Sequence, residues 1–137
     1  MNMASPEIQN LVRRLLAFEA ERDNSSAAPD GTVRVIEELR VRLVKLAGID
    51  GFRSLLSRAL VLAKAQSPSL HPVRVRADGS LEGFDGIAAG EDARAAGHLL
   101  AAHLLELLVT FIGESLTLRM VHDAWPDASP DGVRREN

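Results

Sequence analysis

The chain of 137 residues contains no cysteine, so it can form no disulfide and offers no thiol nucleophile or thiolate metal ligand. Aromatic side chains are scarce, at 4% of residues against 46% for hydrophobic residues as a whole. A hydrophobic core must therefore be built from Leu, Val, Ile and Ala, which pack well between helices. This composition favours a mainly α-helical bundle, and the length suits a single domain that needs no metal or disulfide.

The sequence also lacks the short motifs that identify common classes of enzyme. It contains no phosphate-binding loop, nucleophile elbow, dinucleotide fingerprint or zinc signature. Its first residues show neither a basic segment nor an uninterrupted apolar segment, so we expect no secretory signal and a cytoplasmic location. The sequence therefore favours a protein without catalytic activity, and we expect no cofactor and no bound metal.

Apolar residues recur at helical spacing through most of the chain, and turn-forming residues separate the periodic stretches. The pattern predicts about five helices in one domain, residues 1–125, followed by a disordered polar tail, residues 126–137. A mobile loop is expected at residues 23–31 and a flexible bridge at 85–90. The predicted helices run from Pro6 to about Arg22, from a cap at Thr32 to a turn at 48–51, from Phe52 to the residues before Pro68, from Glu91 to Ile112, and from Glu114 to Trp125. Apolar spacing assigns to the core Leu46 on the second of these helices and Leu116, Met120 and Trp125 on the last.

One segment departs from the helical rhythm and predicts a short β-hairpin at about residues 73–84. Apolar and charged residues alternate from Val73 to the pair Asp78-Gly79, which suits a two-residue type I′ turn. The expected strands lie near 73–77 and 80–84. Because an isolated two-stranded ribbon is marginal in water, we expect it to lie on the helices or to pair with a second chain.

Residues 98–112 are the most unusual stretch, because His103, Glu106 and Thr110 fall on one stripe of an otherwise apolar helix. A helix that is apolar nearly all round must be buried nearly all round. At about 15 residues the stretch falls short of the roughly 20 that cross a bilayer, and Glu106 lies near its middle. We therefore expect the central helix of a protein core, with no membrane partner.

The interpretation that we favour is a regulatory or adaptor-like module that binds proteins and acts as a homodimer. Residues 99–121 carry more apolar surface than one small bundle is expected to cover. Residues 31–76 carry nine basic side chains against three acidic ones, whereas residues 77–137 carry four and eleven. Basic side chains on the predicted second and third helices and on the hairpin are the candidates for binding a partner protein: Arg42, Lys45, Arg53, Arg58, Arg74 and Arg76.

Two alternatives remain open. In the first, His103, Glu106, Thr110 and His122 line the pocket of a small-molecule sensor or an enzyme, as ligand or proton-transfer groups. The simpler interpretation of the stripe is a line of solvent-facing or hydrogen-bonded polar groups, because neither the second nor the third predicted helix places an acidic residue on its apolar face. In the second, residues 52–66 are the recognition helix of a helix-turn-helix. The net negative charge of the chain opposes attraction to phosphates and weakens the helix-turn-helix hypothesis, so we expect no nucleic-acid partner.

Overall fold

The computed structural model describes residues 6–23, 31–83 and 91–126. The loop, the bridge and the tail predicted from the sequence fall mainly on residues 24–30, 84–90 and 127–137, outside the described residues. The elements within the described ranges are α1 (Pro6–Asp23), α2 (Thr32–Gln66), a short 3₁₀ turn (Pro68–Leu70), β1 (Arg74–Val75), β2 (Leu81–Glu82), α3 (Glu91–Ile112) and α4 (Glu114–Ala124). The prediction of a mainly helical fold with one short hairpin is confirmed.

Helix α2 contains a sharp corner at Gly48, whose φ of 80° and ψ of 167° lie outside the helical region. The corner divides α2 into two straight halves that correspond to the second and third predicted helices, so the described residues contain five straight helical segments. The predicted cap at Thr32 is wrong, because Gly31 takes the N-cap position and Thr32 is buried.

A second one-residue corner, Gly113, joins α3 to α4 with φ of 93° and ψ of 156°. Beyond it α4 packs against α2 as well as α3, and Trp125 at its end reaches α1. The backbone N–H and the side-chain hydroxyl of Thr117 both donate to the Gly113 carbonyl, at 3.1 and 2.8 Å. Gly113 is therefore a helix–helix turn.

Helix α3 lies at the centre of the bundle, since it packs against α1, α2, α4 and the 3₁₀ turn. Its small and branched side chains fill the core, as the composition predicts. The buried residues of its inner faces are Ala96, Leu100, Ala101, Ala102, Leu104, Leu105 and Leu108.

The expectation that this helix is too short to span a bilayer is wrong. Helix α3 has 22 residues, and its segment Arg94–Ile112 is long and apolar enough by length and composition to cross a membrane. Half of that segment is buried inside the structure. Such burial is also what the core helix of a globular protein shows.

The hairpin is antiparallel, with Arg74 opposite Glu82 and Val75 opposite Leu81, and its strands are shorter than predicted. The Gly79 N–H donates to the Arg76 carbonyl at 3.0 Å, and the Arg76 N–H donates to the Ser80 carbonyl at 2.7 Å. This pattern, with φ of 89° at Gly79, is a three-residue loop and not the predicted two-residue type I′ turn.

The hairpin lies on α2, which is the first of the two arrangements expected for it. Gly79 sits against the ring of Phe52 and the aliphatic stem of Arg40, one residue from each half of α2. The Arg40 guanidinium also donates to the Asp78 carbonyl at 3.3 Å. The hairpin tip therefore bridges the two halves of the helix across the corner at Gly48.

Candidate functional site

The polar stripe of α3 begins in a buried seam. His103 is only 4% exposed, and its Nε2 lies 3.2 Å from Oε1 of Gln66 at the end of α2. Burial lowers the pKa of His103 below its ordinary value of 6.5, against a smaller opposing effect of the nearby Glu106 charge. The hydrogen bond between the neutral His103 imidazole and the Gln66 amide joins α3 to α2. Nε2 of His103 is therefore already engaged in this bond.

The stripe ends in solvent. Glu106 is half-buried, and Thr110 is exposed and donates its hydroxyl proton to the Glu106 carbonyl at 3.2 Å, within the same helix. His122 lies on the exposed side of α4. Within the described ranges, no group of three or more His, Asp or Glu side chains could hold a metal ion. The geometry along α3 is that of the simpler interpretation, a hydrogen-bonded seam that runs out to the surface.

Glu19 is a buried polar residue that the sequence reasoning missed. Its side chain is 1% exposed, accepts a hydrogen bond from the Trp125 indole N–H at 2.7 Å, and lies 3.3 Å from Nε of Arg34. It therefore links α1 to α2 and to the end of α4. The signal was present, because Glu19 follows Val12 and Leu15 at the seven- and four-residue spacing of the apolar face of α1.

The six basic residues predicted to bind a partner lie on the two halves of α2 and on the hairpin. Three of them form ion pairs within the chain: Arg42 with Glu38 at 3.1 Å, Arg53 with Asp50 at 3.7 Å, and Arg76 with Glu82 at 3.1 Å. In the part of the chain that the structure describes, Lys45, Arg58 and Arg74 form no ion pair. These three remain available for another molecule.

Among the residues that the structure describes, seven large apolar side chains are exposed, and five of them flank the two glycine corners. The set is Val41, Leu46, Ile49, Val61, Phe111, Leu116 and Leu118. Leu46 and Leu116 were expected in the core, and that expectation is wrong. Each lies within one turn of a corner, where the helix changes direction and the extrapolated apolar stripe no longer faces the bundle.

Phe111, Leu116 and Leu118 surround Gly113, and we call these three side chains the Gly113 corner. Phe111 is 59% exposed, and the two leucines are 40% and 41% exposed. On α4, Leu116 and Leu118 lie on either side of the face that packs on the bundle through Thr117, Met120 and Val121. Helix α4 is therefore docked by one face while the Gly113 corner stays open to solvent.

The second half of α2 also presents one face to solvent. Phe52, Leu56 and Ala59 point into the core, whereas Arg58 and Val61 point outward, and Val61 is 67% exposed. This outward face would have to enter a DNA groove in a helix-turn-helix protein. One basic side chain of this half of α2, Arg53, is paired to Asp50, and an apolar residue, Val61, lies at the centre of the outward face.

Comparison with known proteins identifies no relative: no family model, curated protein or solved structure matches the chain.

Proposed function

We propose that this protein is a non-catalytic, adaptor-like interaction module that acts as a homodimer, with the Gly113 corner as part of its contact surface. The observation that carries the proposal is the exposure of Phe111, Leu116 and Leu118 around a single turn. All three lie within eight residues of the chain, and clusters of exposed apolar side chains mark candidate sites of protein interaction.

The fold does not depend on the apolar character of the exposed corner side chains. Thr117, Met120 and Val121 already dock α4, and the Thr117 hydroxyl closes the turn onto Gly113. Polar side chains in place of Phe111 or Leu118 would be compatible with the same fold. Apolar residues at these exposed positions therefore favour a role in binding, because burial of apolar surface drives protein association.

The polar groups of α3 favour the same proposal over a catalytic pocket. The His103 imidazole faces Gln66, and the Thr110 hydroxyl bonds to the backbone of its own helix. His122 lies on the solvent side of α4. A catalytic pair needs two side chains that converge on one reacting atom, whereas the two hydrogen bonds and the solvent position of His122 point in different directions.

The experiment is light scattering coupled to size exclusion over a wide range of protein concentration. The unmodified protein is expected to elute as a dimer, and Phe111→Ser and Leu118→Ser are expected to shift it toward the monomer. Val41→Ser is the matched control, because Val41 is 50% exposed on the first half of α2, away from the corner. Circular dichroism establishes that each variant is folded.

A protein that stays monomeric at the highest concentration would overturn the proposal. So would a dimer whose dissociation constant is the same in both corner variants as in Val41→Ser.

A further inference from the structure

The Gly113 corner carries a negative charge on its Leu118 side. Glu114 is exposed in the first turn of α4, four residues before Leu118, so the two side chains are neighbours on the helix. Glu114 forms no ion pair within the described ranges. The next cation along the chain, Arg119, lies three residues after Leu116 and therefore on the other side of the corner. Leu118 is thus an exposed apolar side chain beside an unpaired negative charge.

The outward face of the second half of α2 has the opposite character. Residues 51–66 contain Arg53, Arg58 and Lys64 and no acidic residue. Arg58 and Lys64 lie three residues before and after Val61, so both flank it on the helix. We call Arg58, Val61 and Lys64 the Val61 surface. It combines the most exposed large apolar side chain with positive charge, and Arg58 is exposed and unpaired in the described chain.

The other exposed apolar side chains of α2 match the corner less well. Val41 has charges of both signs within one helical turn, because Glu37 and Glu38 pair with arginines of the same helix and Lys45 follows four residues later. Leu46 and Ile49 lie beside Asp50 at the Gly48 corner. Val61 has cations and no carboxylate within one helical turn. Like charges that face each other at an interface are unfavourable, so the Val61 surface suits an acidic partner best.

We propose that the Gly113 corner of one copy docks on the Val61 surface of a second copy, with Glu114 opposite Arg58. The inference rests on the proposed homodimer and names the two surfaces that meet in it. In a dimer with two-fold symmetry the contact forms twice, once in each direction. Two small contacts then add toward the area of about 1,000 Å² that a specific interface needs.

The two kinds of group in this contact have different roles. Phe111, Leu118 and Val61 exclude water and supply most of the affinity, whereas the Glu114–Arg58 pair fixes which surfaces meet and speeds association. Because the charges are near the rim, the dimer should weaken as salt concentration rises.

The test is charge reversal, read out by sedimentation equilibrium at low salt. Arg58→Glu and Glu114→Arg are each expected to weaken the dimer by at least about tenfold, since each places two pairs of like charges at the contacts. A mixture of the two variants is expected to form a heterodimer of near wild-type affinity. In that heterodimer, residues 58 and 114 carry opposite charges at both contacts.

Two variants on α1 serve as matched controls. Glu7→Arg reverses an exposed acidic residue in the first turn of a helix, as Glu114→Arg does, and Arg14→Glu reverses an exposed arginine. Neither is expected to change the dissociation constant or to promote pairing in a mixture. Val61→Ser is expected to weaken the dimer, in contrast to Val41→Ser.

The outcomes separate this inference from the function on which it rests. If the corner variants dissociate the dimer while the charge reversals and Val61→Ser leave it intact, the homodimer stands and the Val61 surface is wrong. If the mixture of single variants shows no preference for the heterodimer, the pairing of Glu114 with Arg58 is overturned. A monomeric wild-type protein overturns the homodimer itself.

Discussion

The buried carboxylate of Glu19 shows how much one residue organises in this bundle. A charge in a protein interior is tolerated only when hydrogen bonds replace its hydration. Here one carboxylate oxygen accepts from the Trp125 indole and the other faces the Arg34 guanidinium. The side chains come from the end of α4 and the start of α2, so a single charged group fixes the relation of three helices.

Replacing Trp125 by Phe tests that arrangement. The smaller phenyl ring leaves part of the indole site empty and cannot donate to Glu19, and the lost hydrogen bond alone should lower the free energy of unfolding by about 1–3 kcal/mol. Urea denaturation followed by circular dichroism measures the change, because Trp125 is the only tryptophan in the chain. The double variant Glu19→Gln/Trp125→Phe should lose less than the sum of its two single variants. Full additivity would show that the pair does not interact.

Two histidines of α3 should make stability depend on pH. Burial lowers the pKa of both His98 and His103, and the Arg13 charge lowers that of His98 further. The unfolded chain therefore binds protons at a higher pH, near 6.5, than the folded chain does. The contribution of each histidine to stability is fully present above that pH and is lost as the pH falls toward the lowered folded-state pKa.

The measurement is the free energy of unfolding between pH 7.5 and pH 5, values chosen to bracket the ordinary histidine pKa of about 6.5. The double variant His98→Gln/His103→Gln is expected to flatten the decline on the acid side, because neither position then titrates. His71→Gln, at an exposed site beyond the 3₁₀ turn, serves as the control. An equally steep decline in the double variant would show that other groups cause it.

At the scale of elements, glycines set the directions of the helices and of the hairpin. Gly48 and Gly113 both combine a positive φ with an extended ψ. A Cβ added at either residue would have no neighbouring atom within 4 Å. At Gly83, by contrast, a Cβ would collide with the Pro72 carbonyl oxygen. All three residues have a positive φ, which favours glycine at each position. They differ in the space around the backbone, which is open at the two corners and crowded at Gly83 in the hairpin.

This difference predicts an order of stability for alanine substitutions. Gly113→Ala should cost about 1–3 kcal/mol from backbone strain alone. Gly83→Ala should cost more, because the added methyl group also meets a backbone atom that cannot move aside. Urea titrations of both variants test the order, with Ser57→Ala on the exposed face of α2 as a control that should be neutral or slightly stabilising. Equal losses in the two glycine variants would contradict the crowding at Gly83.

At the scale of the whole molecule, a homodimer that buries the Gly113 corner links association to stability. A ligand that binds only the folded state stabilises it, and for a dimer the second subunit is that ligand. The melting temperature of the wild-type protein should therefore rise with protein concentration. Leu118→Ser should remove this dependence, because it weakens association without touching the buried face of α4. A concentration-dependent melting temperature in Leu118→Ser would contradict the prediction.

A structural feature can be predicted from the sequence when residues close together in the chain decide it. Helix α1, the hairpin and the buried residues Met120 and Trp125 were predictable, because periodicity, turn residues and local apolar spacing decide them. Leu46 and Leu116 were misassigned, because their exposure depends on where a corner points the next helix. The links from Glu19 to Trp125 and from His103 to Gln66 join residues 106 and 37 positions apart, and spacing within one helix cannot reveal them.

Local sequence is enough to predict the helical class, the glycines at which the helices turn and the apolar character of α3, since each depends on neighbours within about one or two turns of helix. Which side chains of these elements lie inside depends instead on how the helices pack together. Packing buries Glu19 and His103 with partners from other helices and leaves Phe111, Leu118 and Val61 in solvent. The reason is physical: local periodicity fixes the face of a helix that is apolar, whereas the packing of the other helices fixes how much of that face is covered.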